Sequence, residues 1–472
     1  MKTLKLIFLS LVLGFSIPCH AQQVQGSSQL SLRWFSTTSA DKQWRELPPP
    51  IMKPGNAAAD NAFRVDPQTR YQTVDGFGGC FNELGWNALQ TLATEQQEEV
   101  LKSLFDGSGC GFAVCRMGMG ANDFASNWYS FDETPGDYEM ADFSIDRDRQ
   151  ALIPFIKAAM KHQPKLAVWG VPWSPPSWMK TTNSYKAGNM KQDPKTLAAY
   201  ALYFSKYVQA YRKEGINLYA VHPQNEPRYN NNIYPQCAWS GQEINTFMRD
   251  YLVPRLKKDQ VDVQVWLGTI ANNEMKAYTD PVLSDPVTNP MISGVGYQYE
   301  GQSILGATHE KYPDKKLMQT ETECFDGLNA WRQGMETFNR ISGDMNNFAN
   351  GYMFWNLILN ETACSTWGWR QNSLITIVTK EQKVVYNPEF YAMKHFSHGV
   401  HPGAVRIAAK GPVKNLVAFQ NPSGEIVMVF SNDKNVKADA EIQIGGSSAK
   451  IEIPAESMNT ICVYEKTGQI TN

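Results

Sequence analysis

The sequence predicts an α/β protein, a (β/α)8 TIM barrel with an attached all-β sandwich domain. Two observations predict it. From about residue 70 to 398, eight short apolar segments alternate with amphipathic stretches of helical length. Such alternation implies parallel strands, and eight of them imply a closed barrel. After about residue 400 the alternation stops, and six short strand-like segments follow with Gly, Pro, Asn or Asp between them. That is the pattern of a sandwich. At 472 residues the chain is long enough for both.

The chain opens with a targeting pattern. Lys2 and Lys5 precede the apolar run Leu6 to Phe15, and Ala21 offers a small residue before a cut. The run is too short to span a bilayer and reads as a signal peptide over residues 1–21, which predicts a secreted or periplasmic protein with no integral membrane segment after its removal. Cys19 leaves a surface lipoprotein open as an alternative. Residues 22–69 hold a polar start, the short strand Ser31–Phe35 and the breaker Pro48-Pro49-Pro50; they are expected to contribute to the sandwich, with that strand as an added edge.

The barrel strands are predicted at Thr73–Phe81, Phe112–Met119, Leu166–Trp173, Leu218–Pro223, Val263–Thr269, Gly294–Tyr299, Lys316–Thr320 and Gly351–Leu357. Helices are predicted over Thr94–Phe105, Asp146–His162, Leu197–Glu214 and Glu243–Lys258. The sandwich, residues 399–472, is predicted from Val405–Ala409, Leu416–Gln420, Ile426–Ser431, Ala440–Ile444, Lys450–Ile453 and Asn459–Glu465.

Composition narrows the function. Apolar residues are 42% and charged residues 19%, as in a globular chain. Lysine plus arginine (44) nearly balances aspartate plus glutamate (46), and a net charge of −2 gives no reason to expect a nucleic-acid partner. Cleavage of the signal leaves seven scattered cysteines without Cys-x-x-Cys spacing, and the histidines form no ligand set, so no metal or cofactor is expected. Gly76 to Gly79 lacks both the P-loop and the Gly-x-Gly-x-x-Gly spacing and reads as close backbone packing. His222 reads as a core histidine rather than a base.

In such a barrel the chemistry sits where the strands end at their C-termini. Those ends collect Glu83, Arg116, Asn122, Asp123, Trp173, Asn225, Glu226, Tyr299, Glu321, Glu323, Trp355 and Asn356. Carboxylates, amides, an arginine and aromatics suit a sugar, with polar groups for its hydroxyls and flat apolar faces for its ring. Glu226 in Asn225-Glu226-Pro227 ends the fourth strand and Glu321 the seventh, roughly across the barrel from each other. Two carboxyl groups so placed can cleave a glycosidic bond, with retention at about 5–5.5 Å separation and inversion at roughly 6.5–9.5 Å. Arg116 and a tyrosine from strand six are expected to hold Glu321 ionised as nucleophile, while a charged partner nearby raises Glu226 to serve as general acid.

These blocks, with Asp75-Gly76-Phe77-Gly78-Gly79, Pro172-Trp173-Ser174-Pro175-Pro176-Ser177-Trp178, Gln319-Thr320-Glu321 and His401-Pro402-Gly403-Ala404, resemble glycoside hydrolase family 30 in order and spacing. That family holds lysosomal-type glucosylceramidases, bacterial glucuronoxylanases and endo-β-1,6-glucanases. The resemblance implies a retaining β-glycosidase with Glu226 as acid/base and Glu321 as nucleophile. It implies that Asn225 bonds the sugar 2-hydroxyl, that Tyr299 bonds the nucleophile, and that Trp173 and Trp355 form sugar-ring walls. Glu83 stands where the resemblance expects an aspartate that grips the sugar, a departure that puts glucosylceramide specificity in doubt. Glu323 lies on the same side of its strand as Glu321 and is the rival nucleophile. Trp367 and Trp369, past strand eight, either extend the cleft for an oligo- or polysaccharide or simply pin their loop. The expected substrate is a β-linked glycan, β-1,6-glucan first. The alternatives are a glucosylceramidase, a xylan- or galactan-cleaving relative, and a carbohydrate-binding barrel without turnover.

Overall fold

The computed structural model describes residues 30–56, 62–322 and 324–465. The signal segment, Cys19 and Glu323 lie outside the described residues. Among those described, no helix is long and apolar enough to cross a membrane.

Eight parallel strands close a barrel. They are Gly76–Phe81, Val114–Gly118, Ala167–Val171, Leu218–Val221, a fifth strand in two pieces (Gln264–Val265 and Leu267–Ile270), Gly294–Gln298, Lys316–Glu321 and Gly351–Asn356. The fifth strand breaks at Trp266, so its first piece pairs with strand four and its second with strand six. Trp169, Trp266, Met318 and Met353 are buried in the barrel interior, where each fully buried large side chain contributes roughly 1.5–3 kcal/mol. His222 stacks on Trp169 at 5.3 Å, and burial pushes its imidazole down to about 3, so it is a neutral core residue. The glycines of strand one are packing glycines: a Cβ on Gly78 would lie 1.6 Å from the Val114 carbonyl oxygen.

Helices cover the outside. Thr94–Phe105 buries Val100, Leu101, Leu104 and Phe105. Pro194–Lys213 starts at Asp193, whose carboxylate accepts the Thr196 N–H at 3.0 Å. The helix predicted over Glu243–Lys258 begins at Gly241 behind a Ser240–Glu243 capping box and runs through a π-helical stretch, Phe247–Leu252.

Ten strands form the second sheet, in the order 45–47, 30–38, 457–465, 426–432, 417–420, 405–410, 62–73, 438–444, 447–453, 53–54. Leu32, Trp34, Phe63, Ile442 and Ile461 share one core, so the sheet folds over on itself. Two expectations are corrected here. The N-terminal strand, Leu30–Thr38, is not an edge, because it pairs with Ser457–Glu465 on one side and Arg45–Leu47 on the other. Thr73 does not open the first barrel strand; it ends Ala62–Thr73, which lies inside the second sheet between Val405–Lys410 and Ala438–Ile444.

Candidate active site

Glu321 is the last residue of strand seven and is 4% exposed. Its carboxylate is held on both oxygens. Arg116, fully buried on strand two, donates to Oε2 at 2.7 Å, and Gln298 donates to the same oxygen at 3.3 Å. The Tyr299 hydroxyl donates to Oε1 at 3.0 Å. Arg116 also donates to the Thr320 carbonyl at 3.0 Å and, through its other terminal nitrogen, to Asn225 Oδ1. One planar guanidinium thus ties the end of strand seven to the end of strand four.

Asn225 Oδ1 accepts a second bond, from the Thr269 hydroxyl at 2.7 Å. Both acceptor positions are taken, which fixes the amide orientation and leaves Nδ2 to donate. Glu226 follows in left-handed backbone, φ 43°, with its N–H on the Thr269 carbonyl at 3.0 Å. Tyr299, φ 45°, makes the same kind of turn at the end of strand six. Non-glycine residues rarely adopt this conformation, which turns a side chain away from the course of its strand.

The two carboxyl groups differ in surroundings. Glu226 is 9% exposed, and among the described residues no donor is bonded to its carboxyl. The nearby Arg228 spends its guanidinium on Glu300 at 2.8 Å and on the Ala271 carbonyl at 3.0 Å. Burial and the charge of Glu321 therefore hold the Glu226 carboxyl well above the usual range. Burial lifts Glu321 as well, against the opposing pull of Arg116 and Tyr299. The ordering gives the proton to Glu226 and the negative charge to Glu321.

Trp173 and Trp355 stack on each other at 5.0 Å and are each only 1% exposed. The Arg116 guanidinium lies 4.6 Å from one ring and 5.4 Å from the other. Both rings therefore pack on the guanidinium that holds Glu321. Half-buried Tyr234, Trp367 and Trp369 stand above them, with Trp367 stacked on Tyr234 at 5.5 Å.

Glu83 sits in an ion pair. Its carboxylate takes two bonds from Arg147, both at 2.9 Å, and one from the Ser126 N–H at 2.7 Å. Three of its acceptor positions face protein donors, and the residue is 2% exposed. The third carboxyl of the site is Asp123, in the loop after strand two, which accepts the Trp367 indole N–H at 2.7 Å. Burial, with the charge of Glu321 adding, pushes Asp123 up to about 7. Sequence reasoning noted Asp123 at a strand end and gave it no role. Nor did it give a role to Gln298, Thr269 or the Cys324 thiol, which lies 3.3 Å from the Tyr299 hydroxyl. The first two lie one residue from the expected Tyr299 and at the predicted end of strand five.

A parallel eight-stranded barrel with two buried carboxyl groups of unlike surroundings at its C-terminal rim is an arrangement suited to a glycosidase. The family model for the glycosyl hydrolase family 30 TIM-barrel domain matches residues 74–400, and that for the family 30 beta sandwich domain matches residues 403–461. The chain belongs to glycoside hydrolase family 30 and is a glycoside hydrolase of the retaining class. It is 26% identical to endo-1,6-beta-D-glucanase neg1 of Aspergillus fumigatus, over 90% of this chain and 92% of the relative. It is 27% identical to the lysosomal acid glucosylceramidase of Mus musculus, over 78% of this chain and 76% of the relative. Among solved structures, the endo-beta1,6-glucanase BT3312 is similar at a TM-score of 0.81 and 25% identity, covering 91% of this chain and 99% of that one. SrfJ from Salmonella typhimurium shares the fold at a TM-score of 0.86 and 24% identity, covering 92% and 100%.

Proposed function

We propose that the protein is an exported β-glycosidase that hydrolyses β-1,6-glucan by double displacement, with Glu226 as acid/base and Glu321 as nucleophile. The observation that carries this reading is the asymmetry between the two carboxyl groups: three donors hold Glu321, and none among the described residues is bonded to Glu226. In the first step Glu321 attacks the anomeric carbon while Glu226 gives its proton to the leaving oxygen. In the second, Glu226 takes a proton from water, which displaces Glu321 from the anomeric carbon. Asn225 Nδ2 donates to the sugar 2-hydroxyl, and Asp123 accepts from hydroxyls at the far side of the same ring. The similarity to two endo-β-1,6-glucanases, over 92% and 99% of their lengths, supports the linkage. The basic and apolar start of the chain supports export.

Glu226→Ala tests the acid/base role. It is expected to lose far more activity on a poor leaving group than on an activated aryl glycoside, and azide restores turnover; equal losses with no azide effect refute it. A 2-fluoro glycoside trap followed by peptide mapping is expected to label Glu321, and a label on Glu323 overturns that assignment. A panel of β-glucans, xylan, galactan and glucosylceramide checks the substrate, with fastest turnover expected on β-1,6-glucan.

A further inference from the structure

Asn372, in the loop after strand eight, is fully buried, and its polar atoms bond five other residues. Its N–H donates to the Cys324 carbonyl at 2.7 Å, and its Oδ1 accepts the Gly327 N–H at 2.8 Å. Its Nδ2 donates to Gln333 Oε1 at 3.1 Å and to Glu389 Oε1 at 2.5 Å. Its carbonyl accepts Asn356 Nδ2, at the end of strand eight, at 3.2 Å. Both amide protons are spent, so the side chain has one orientation.

The partners are anchored in their turn. Gln333 lies in the first turn of the helix Trp331–Asn346, where its Oε1 also accepts the Ala330 N–H at 2.8 Å and its Nε2 donates to Asp326 Oδ1 at 2.7 Å. Glu389 is fully buried in the first turn of the helix Pro388–Ser397. Burial lifts its carboxyl to about 7, against the bond from Asn372. The two helices pack on each other, so one amide clamps the loop after strand seven to a rigid support.

That loop needs an external tie. It turns through left-handed backbone at Phe325, φ 55°, and Asn329, φ 49°. Gly327 packs so closely on the eighth loop that a Cβ there would lie 2.9 Å from that of Ala363. The same loop carries Cys324, whose thiol lies 3.3 Å from the Tyr299 hydroxyl and 3.2 Å from the Thr322 carbonyl. The hydroxyl has one proton and gives it to Glu321 at 3.0 Å, so its oxygen is an acceptor for the thiol. The contacts run in one line. Asn372 fixes the main chain at Cys324, the thiol meets the Tyr299 oxygen, and the hydroxyl holds Glu321 Oε1.

Resting on the assignment of Glu321 as nucleophile, we infer that Asn372 is a positioning residue for the hydrolysis: anchored on Glu389 and Gln333, it holds the loop after strand seven so that Cys324 keeps the Tyr299 hydroxyl directed at Glu321. Its effect on the reaction passes through Tyr299 and is bounded by what that hydroxyl contributes.

The test is a set of double-mutant cycles read as kcat/KM on an activated aryl glycoside, with circular dichroism to check each fold. Asn372→Asp puts an acceptor where Nδ2 donates, against the Glu389 and Gln333 oxygens. It is expected to lower kcat/KM by up to about ten-fold, the scale of one hydrogen bond to the nucleophile. Adding Glu389→Gln returns a donor to the pair and is expected to recover most of the loss. Cys324→Ala leaves the clamp whole and reads the link from its other end, with a loss in the same range. In a Tyr299→Phe background, the Asn372 and Cys324 substitutions are each expected to cost less than about two-fold, because the group they act through is gone. Losses that multiply across that background overturn the inference, as does wild-type kcat/KM in Cys324→Ala or a loss in Asn372→Asp that Glu389→Gln fails to recover. A 2-fluoro glycoside label away from Glu321 sinks the nucleophile assignment itself, and the inference falls with it.

Discussion

Replacing Arg116 with lysine tests the electrostatic design of the site. The guanidinium is fully buried and bonds Glu321 at 2.7 Å, the Thr320 carbonyl at 3.0 Å, and Asn225. An ammonium is a point charge that cannot span Glu321 and Asn225 together. Hydrogen bonds to charged groups contribute about 1.5–3 kcal/mol, so losing one that acts on the nucleophile lowers kcat/KM roughly 10- to 100-fold. The pH profile carries the stronger test. Glu321 must be ionised to attack, and Arg116 favours its ionised form. Weakening that contact raises the pKa of Glu321, so the acidic limb of kcat/KM moves to higher pH. Arg116 also draws Glu226 down, less directly, so the basic limb follows in the same direction by a smaller amount. Arg116→Met takes the logic further. Breaking a buried ion pair costs about 3–5 kcal/mol, and Glu321 avoids that cost by keeping a proton. The assay is kcat/KM on an activated aryl glycoside from pH 4 to 9, with circular dichroism to confirm the fold. If activity falls while both limbs stay in place, Arg116 is only a packing residue and the charge assignment is wrong.

Three further outcomes follow from the same geometry. Tyr299→Phe removes one donor from Glu321; kcat/KM is expected to fall about ten-fold with the acidic limb shifted upward, and wild-type kinetics contradict the assignment. Glu83→Gln releases Arg147 and loosens the loop that carries Ser126 and Asp123, so KM on short glycosides is expected to rise more than kcat falls; equal effects on both point to general misfolding. Asp148 is buried between the Tyr129 and Tyr211 hydroxyls, and burial lifts it from 3.8 to about 7. The folded state therefore holds a proton that the unfolded chain releases above its ordinary value. The stability this group contributes is full below about pH 4 and is lost as pH rises through 7, by roughly 4 kcal/mol at most. Comparing urea midpoints of the wild type and Asp148→Asn at pH 5 and pH 8 measures it, and a difference that does not change with pH refutes it.

Much of the barrel was legible because strands buried on both faces read as continuous apolar runs. Val114–Gly118 and Gly351–Asn356 are buried at every position, and each lies within a predicted span. Ala62–Thr73 was not legible, because most of its later residues are exposed or half-buried and show no alternation. Its place inside the sheet is set by partners more than 300 positions away in sequence. The same separation decided the site. Glu226 and Glu321 were visible because each lies within a few residues of a short apolar run, Leu218–Val221 and Leu317–Met318. Glu83 was misjudged because its carboxylate is claimed by Arg147, which no local pattern marks. Asp123 owes its place to Trp367, whose indole reaches it from the loop after strand eight. Trp367 bonds Asp123 and also lines a surface groove with Trp128 and Lys186.

The route of the chain through the second sheet has a consequence for biogenesis. Thr73 pairs with Val405, and Leu30–Thr38 pairs with Ser457–Glu465. Segments made before the cylinder thus wait for segments made after it before their edges are covered. A fragment beginning near residue 403 would lack two inner strands of its own sheet. A nascent chain stopped short of residue 457 would leave Leu30–Thr38 without its long partner, open to pairing with other chains.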